Sequence, residues 1–325
     1  MRNEILEILK NAKGKFISGE SIANQFNVSR VSVWKHVQKL RKIGYDVKSF
    51  GSRGYSLPEL PDLLFPEIIQ DNLHTKIIGV EPARIIYFDS TESTNIIAKK
   101  LAADNAAEGT VIIAEEQTGG KGRLDRKFFS PKYKSILFSL ILRPKCLPKD
   151  APKFTLMAAV AIILAMKKFN LHAGIKWPND IIFDNRKVVG ILTEMSAAIE
   201  QVNYIVIGVG INANISAEDF PEDIKKIAAS LTEMNGNKNI SRADFFRAVL
   251  EEFDKLYNEM DFEKIFELWR KYNITLNQNV KVISAESGEI FTGKAIDIDS
   301  DGALVISTDT GNKTVYAGDV SVRKI

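Results

Sequence analysis

A single cysteine, Cys146, in a chain of 325 residues excludes any intramolecular disulfide, and histidines scattered at His36, His74 and His172 offer no spacing for a metal centre. Long apolar runs are missing as well. None approaches the roughly twenty residues needed to cross a bilayer, and Met1 to Lys10 mixes acids with its Ile and Leu as no secretory leader does. A cytoplasmic protein with no membrane contact and no structural metal is expected. An overall excess of one charge is lacking too, with 44 basic against 41 acidic side chains. That balance hides an uneven distribution. Residues 1–58 carry eleven Lys/Arg and only four Asp/Glu, which leaves the remainder slightly acidic. The first segment alone has the surplus that attracts nucleic acid.

This segment reads as three short helices and a hairpin. Ile5, Leu6, Ile8 and Leu9 keep a helical apolar period that ends near Gly14, and Ser18 is placed to cap a second helix carrying Ile22, Ala23 and Phe26. Asn27 turns the chain, and Ser29 caps a third helix, Arg30 to Lys42, stopped by Gly44. Val33, Val37 and Leu40 share one face of it, with Arg30, Ser32, His36 and Lys39 lying mostly off that face, which is helix-turn-helix spacing. Alternation on either side of Gly51-Ser-Arg-Gly54 adds a β-hairpin wing with Arg53 at its tip. A winged helix-turn-helix that binds operator DNA through Ser29, Arg30, Ser32, Lys35 and Arg53 is expected, a wing used for protein contacts being the alternative.

Pro58, Pro61 and Pro66 mark a linker, which bounds the first domain at 1–60. Beyond it, strand-like runs (Ile85–Phe88, Thr110–Ala114, Ser135–Leu142, Ile175–Trp177, Ile181–Phe183, Val188–Glu194, Tyr204–Ile211) alternate with helices near 94–103, 153–169, 222–234 and 241–271. The pattern argues an α+β domain over 61–274 with one mixed sheet covered by helices. Short strands and Gly-containing turns over 275–325 suit a small SH3-like β-barrel.

Four stretches of the central domain carry the chemistry. Gln117 to Lys127 follows a β-type run and packs three glycines, two arginines and two lysines around one acid. Such a loop turns backbone N–H groups toward an anion and adds charge for phosphate or carboxylate, a solvated basic loop being the competing reading. Ser93-Thr94-Asn95 is, by itself, a helix N-cap. Lys176-Trp-Pro-Asn-Asp180, with Lys187-Val-Val-Gly-Ile-Leu192 after it, is by itself a strand-ending turn. Gly208-Val-Gly-Ile-Asn212 is by itself a closely packed strand. Taken in this order, with both flanking domains, they resemble the signature segments of biotin protein ligases. Ser18-Gly-Glu, Ser29-Arg30, Lys35-His36 and Gly54-Tyr-Ser-Leu-Pro58 in the first domain are similar to the bifunctional subgroup that is also the biotin operon repressor.

The resemblance implies a class II synthetase-like central domain and an ATP-dependent, AMP-forming biotin-[acetyl-CoA-carboxylase] ligase. Biotin's carboxylate attacks the α-phosphate of ATP, and the biotinyl-5'-AMP formed passes biotin to a lysine of a biotin carboxyl carrier domain. Two anions must meet, which requires fixed positive charge. Lys121, Gly122 and Arg123 would hold the carboxylate and the adenylate phosphate, Lys187 would reach the carboxylate from the facing strand, and Lys176 and Arg126 would neutralise polyphosphate. Asn179 and Asp180 would carry Mg²⁺, and Asp180 would orient the attacking amine. Ser93, Thr94, Asn95 and Gln117 would meet the ureido ring, with Gly190, Gly208 and Gly210 leaving room for the bicycle. Adenine would stack on Phe128 near Asn212. The adenylate would also act as corepressor, ordering the loops 117–127 and 212–221 and favouring a homodimer on a two-fold operator. Two positions depart from the family's pattern: Gly-Arg-Gly-Arg reads Gly120-Lys-Gly-Arg123, and the stacking Trp is Phe128. The rival readings are a ligand sensor with an inactive ligase fold and a lipoate-type ligase.

Overall fold

Asn27, at a φ of 51°, turns the chain out of α2 (Gly19–Gln25) and into α3 (Arg30–Lys42). Ser18 caps α2 by accepting from Ser21 N–H, and the Ser29 hydroxyl accepts from Ser32 N–H at the start of α3. Val33, Val37 and Leu40 bury the inner face of α3 in one small core with Ile22 and with Ile5, Leu6 and Leu9 of α1 (Arg2–Asn11). The hairpin of β1 (Lys48–Phe50) and β2 (Gly54–Ser56) follows. Arg41 of α3 ties it down, donating to Val47 O at 2.8 and 2.7 Å and to Ser49 Oγ at 2.5 Å. Gly54 has a φ of 96°, and a Cβ there would lie 2.0 Å from Ile17 O, so only glycine lets the wing pair with Ile17.

The computed structural model describes residues 1–42, 45–58, 62–123, 128–284, 290–317 and 320–324; the expected helix stop at Gly44 lies outside them. The chain divides into two units, Met1–Asn72 and Leu73–Ile325. Pro66, expected only as linker, starts the short helix α4 (Pro66–Gln70), where its missing N–H costs nothing.

The second unit is built on a seven-stranded sheet in the order β3-β4-β5-β9-β8-β7-β6. Its strands are β3 (Ile85–Phe88), β4 (Val111–Ala114), β5 (Ser135–Leu142), β6 (Gly174–Lys176), β7 (Asp180–Phe183), β8 (Arg186–Ala197) and β9 (Val202–Asn212). Only β3 and β4 run parallel. β4 and β5 are buried along their whole length, as strands sandwiched between helices must be. On one face Ala98 and Ala102 of α5 (Thr94–Ala103) pack with Ile112, Ile141 and Val206. On the other, Thr155 of α6 (Ala151–Lys168) bonds Thr193 at 2.7 Å, and Phe138 meets Phe246 of α9 (Arg242–Glu259).

Two expected helices are interrupted. The stretch 241–271 breaks at Met260, which takes a φ of 48°, and Asp261 then caps α10 (Phe262–Tyr272) through the Lys264 N–H. Likewise 222–234 divides into α7 (Glu222–Lys225) and α8 (Leu231–Met234), because Ala228 pairs with Lys187 between them and Ser230 starts a new cap. The tail forms a five-stranded antiparallel sheet in the order β13-β12-β11-β10-β14, namely Gly311–Val315, Leu304–Thr308, Ile290–Ile298, Asn279–Ser284 and Val320–Lys324. Its last strand, Val-Ser-Val-Arg-Lys, was not among the strands expected from sequence, being short and without a turn signal after it. Trp177 joins this tail to the sheet: its N–H donates to Thr275 Oγ1 at 2.8 Å and its indole N–H to Gly302 O at 3.2 Å. No described helix is long and apolar enough to cross a membrane.

Asp254 of α9 anchors the start of the unit by accepting from the N–H groups of Lys76, Ile77 and Ile78 at 2.9, 2.9 and 3.0 Å. Removing this buried acceptor leaves those donors unpaired, so Asp254→Ala should cost about 3 kcal/mol. The melting temperature, followed by circular dichroism, should fall by about 10 °C.

Candidate active site and nucleic-acid interface

The face of the sheet that carries α5 holds a cleft, open to solvent, floored by Gly190, Leu192, Gly208 and Gly210 of β8 and β9. Lys187 also reaches this face, although it stands three residues from Gly190 and a regular strand would send it to the opposite side. A bulge resolves the parity. Ile181 pairs with Val189 but Ile182 with Lys187, so Val188 is the extra residue and Lys187 is turned into the cleft. The room expected above the glycines is partly filled. A Cβ on Gly210 would lie 2.7 Å from the Phe128 ring, one on Gly190 2.8 Å from Lys187 Nζ, and one on Gly208 2.0 Å from Asn95 Oδ1.

One wall is polar and neutral. Ser93 occupies the N-cap position of α5 without making a capping bond; Gln117 Oε1 accepts instead from Thr94 N–H at 2.7 Å and lies 3.1 Å from its hydroxyl. Ser139 Oγ stands 2.7 Å from Thr94 Oγ1 and 2.5 Å from Asn95 Oδ1, while Asn95 Nδ2 donates to Glu194 at 2.8 Å. Glu194 is in turn paired with Lys99 at 2.6 Å. Ser139 and Glu194 were absent from the residues expected from sequence. Each lies in an ordinary strand, and only the alternation that sends Ser139 toward α5 could have drawn attention to it.

The facing wall is charged. Lys121, Gly122 and Arg123 line it; Arg123 donates to Asn179 Oδ1 at 3.3 Å, and Lys187 is paired with Asp180 at 2.6 Å. A second cleft, of about 1000 Å³, shares Arg123, Asn179, Ile191 and Leu192 with the first, so these residues form the partition between the two.

Among the described residues, Asn212, Lys176 and Asp180 do not line the cleft. Asn212 is buried and does not line the cleft; its Nδ2 donates to Lys187 O at 3.3 Å and Ala229 O at 3.0 Å, so it fixes the backbone that presents Lys187. Lys176 sits at the end of β6 outside the lining, and Arg126 falls outside the described residues. Asn179 and Asp180 direct their oxygens at Arg123 and Lys187, and no trio of His, Cys, Asp or Glu suited to a metal occurs among the described residues. As arranged, the pair does not fit a resident Mg²⁺.

In the first unit Ser29, Arg30 and Lys35 are exposed and Ser32 half-exposed along α3, with Arg53 at the wing, its guanidinium 5.0 Å over the Phe50 ring. Ser29 is committed to capping. Two apolar residues missed from sequence share the outward face: Val31 is 62% and Trp34 50% exposed.

Comparison with known proteins is consistent along the chain. Residues 2–56 match the HTH domain model, 87–212 the biotin/lipoate A/B protein ligase family and 275–323 the biotin protein ligase C terminal domain. The bifunctional ligase/repressor BirA of Bacillus spizizenii is 38% identical over 99% of this chain and 98% of its own length, and that of Escherichia coli 31% over 96% and 94%. A solved biotin protein ligase from Aquifex aeolicus, in complex with biotin and ATP, superposes with a TM-score of 0.63 at 28% identity, covering 74% of this chain and 99% of that one. With helix-turn-helix, ligase core and C-terminal sheet all matched in order over nearly its full length, the chain belongs to the bifunctional ligase/repressor family of biotin protein ligases.

Proposed function

We propose that the cleft makes biotinyl-5'-AMP from biotin and ATP, that the second unit then passes biotin to a lysine of a carboxylase's carrier domain, and that the adenylate-bound protein represses biotin genes through the first unit. The observation that carries this is the pairing of a neutral hydrogen-bonding wall with a cationic one across a glycine floor. A ureido ring needs matched donors and acceptors; a carboxylate meeting a phosphate needs fixed positive charge.

In this reading Ser93, Thr94 and Gln117 hold the ureido group, and Asn95, fixed by Ser139 and Glu194, shapes the pocket beside Gly208. Lys187 and Arg123 hold the carboxylate and α-phosphate, exchanging their pairings with Asp180 and Asn179 for the ligand's oxygens. The backbone N–H groups at Lys121 and Gly122 assist, which spares Lys121 the bidentate contact only arginine can make. Phe128 would leave Gly210 to the bicycle and stack on adenine. Lys176 and Arg126 remain candidates for the triphosphate. Mg²⁺, arriving with the nucleotide, would supply charge neutralisation on its phosphates. Asp180, freed from Lys187, would steer the carrier lysine, which the second cleft admits across Arg123 and Asn179.

The division into 1–60, 61–274 and 275–325 follows the same reading: DNA binding, ligation, and a C-terminal barrel that braces the Trp177 turn. Ser29, Arg30, Ser32, Lys35 and Arg53 would meet operator DNA, with a homodimer matching a two-fold site once adenylate orders the loops. ATP and operator DNA as partners make the cytoplasm its working compartment.

Biotin-dependent ATP/pyrophosphate exchange should be robust in the wild type and absent with lipoate; the reverse preference would overturn the assignment. Lys187→Met should slow exchange by about 10²–10³-fold, the usual loss for one charge-stabilising group. On operator DNA, Arg30→Ala and Arg53→Ala should each weaken binding and lower the salt slope by about 1 in a gel-shift titration, as loss of a phosphate contact does. Sedimentation should report a shift toward dimer with biotin plus ATP and none with either alone.

A further inference from the structure

Arg242, the first residue of α9, and Glu115, the first after β4, are both fully buried and lie 2.6 Å apart. The same guanidinium nitrogen donates to Ser135 O at 2.8 Å, and Ser135 opens β5. Glu115 and Ser135 are the two roots of the segment that contains Gln117, Arg123 and Phe128. One side chain therefore grips the segment where it leaves the sheet and where it returns. Ser135 is also in register with Asn212, the residue that holds the Lys187 backbone. Two residues before Arg242, Ile240 exchanges hydrogen bonds with the Asn214 side chain, 2.9 and 3.0 Å long, so the segment after β9 is moored at the same place.

Burying two charges costs several kcal/mol per ion, and an apolar pair of similar volume commonly stabilises a fold as well or better. Stability alone does not account for such a pair. Its location does, because one guanidinium nitrogen, carried on a long helix and hydrogen-bonded to both roots, sets the separation of two strand ends in a way that apolar contacts cannot. We propose that Arg242 is a positioning residue for ligation: by joining Glu115 to Ser135 it sets the seat of Gln117 against Thr94 and of Phe128 over the floor. This rests on the reading of the cleft as the biotin and adenylate site.

The test is the double variant Arg242→Met/Glu115→Leu, which removes both charges together and leaves neither unpaired. Melting temperature, biotin KM and kcat in pyrophosphate exchange, and the rate at which preformed biotinyl-5'-AMP is released are measured against wild type. The expected result is a melting temperature within a few degrees of wild type, a biotin KM and a release rate each raised about tenfold, and a kcat changed by less than about threefold, the pattern of lost binding geometry rather than lost chemistry. Unchanged KM and release in the folded double variant would reduce the pair to a structural one and overturn the proposal. If the double variant does not fold, Arg242→Lys decides: it keeps the charge, but its nitrogen stops one bond short of the one that reaches both roots, so wild-type KM and release there overturn the proposal equally. Failure of the wild type to exchange pyrophosphate with biotin would count against the function itself and is read separately.

Discussion

Repulsion between two anions is the constraint to which the second unit is built. A carboxylate and a phosphate brought to about 4 Å repel by about 4 kcal/mol at the effective dielectric of a protein surface, before any bond is made. The charged wall meets this with cations that are already paired within the protein: Lys187 on Asp180 and Arg123 on Asn179. Such partners hold the side chains in place at little cost, and a ligand with more oxygens can take them over. The neutral wall has the opposite design. Thr94, Gln117, Ser139 and Asn95 hold one another in fixed orientation, with Asn95 tied on to Glu194, so a ring with the wrong pattern of donors would leave buried groups unpaired.

Backbone irregularity makes the two walls face each other. The extra residue Val188 brings Lys187 onto the face that also carries Gly190, and Asn212 keeps that turn of backbone in place from behind. Trp177, buried between Thr275 and Gly302, fixes the turn that presents Asn179 and Asp180. The five-stranded tail sheet is thus part of what holds the charged wall, while α5 and its first turn form the neutral one.

Much of this was legible in the sequence because chemistry concentrates in short runs of unusual composition. Gln117, Lys121, Gly122 and Arg123 of the glycine-rich loop, Ser93-Thr94-Asn95 and Lys187 line one cleft. What escaped is whatever depends on parity or on distant partners. Asn212 reads like a ligand contact from its place after Gly210, yet it faces backbone. Ser139 and Glu194 look like ordinary strand residues. The break at Met260 escapes because neither glycine nor proline marks it, only one left-handed residue, and α10 goes on to bury Ile265, Phe266 and Trp269. On α3 the exposed Trp34 carries no charge to mark it among the basic residues around it.

The chain holds three tryptophans, and their burial divides them sharply: Trp177 is 1% and Trp269 0% exposed, while Trp34 is 50% exposed. Both buried indoles belong to the ligase unit and the exposed one to the helix-turn-helix. Intrinsic fluorescence is thereby sorted by unit, with a long-wavelength, quencher-accessible component from α3 and a short-wavelength, shielded one from the second unit. Events at DNA and events at biotin therefore leave separate optical signatures in the unlabelled protein.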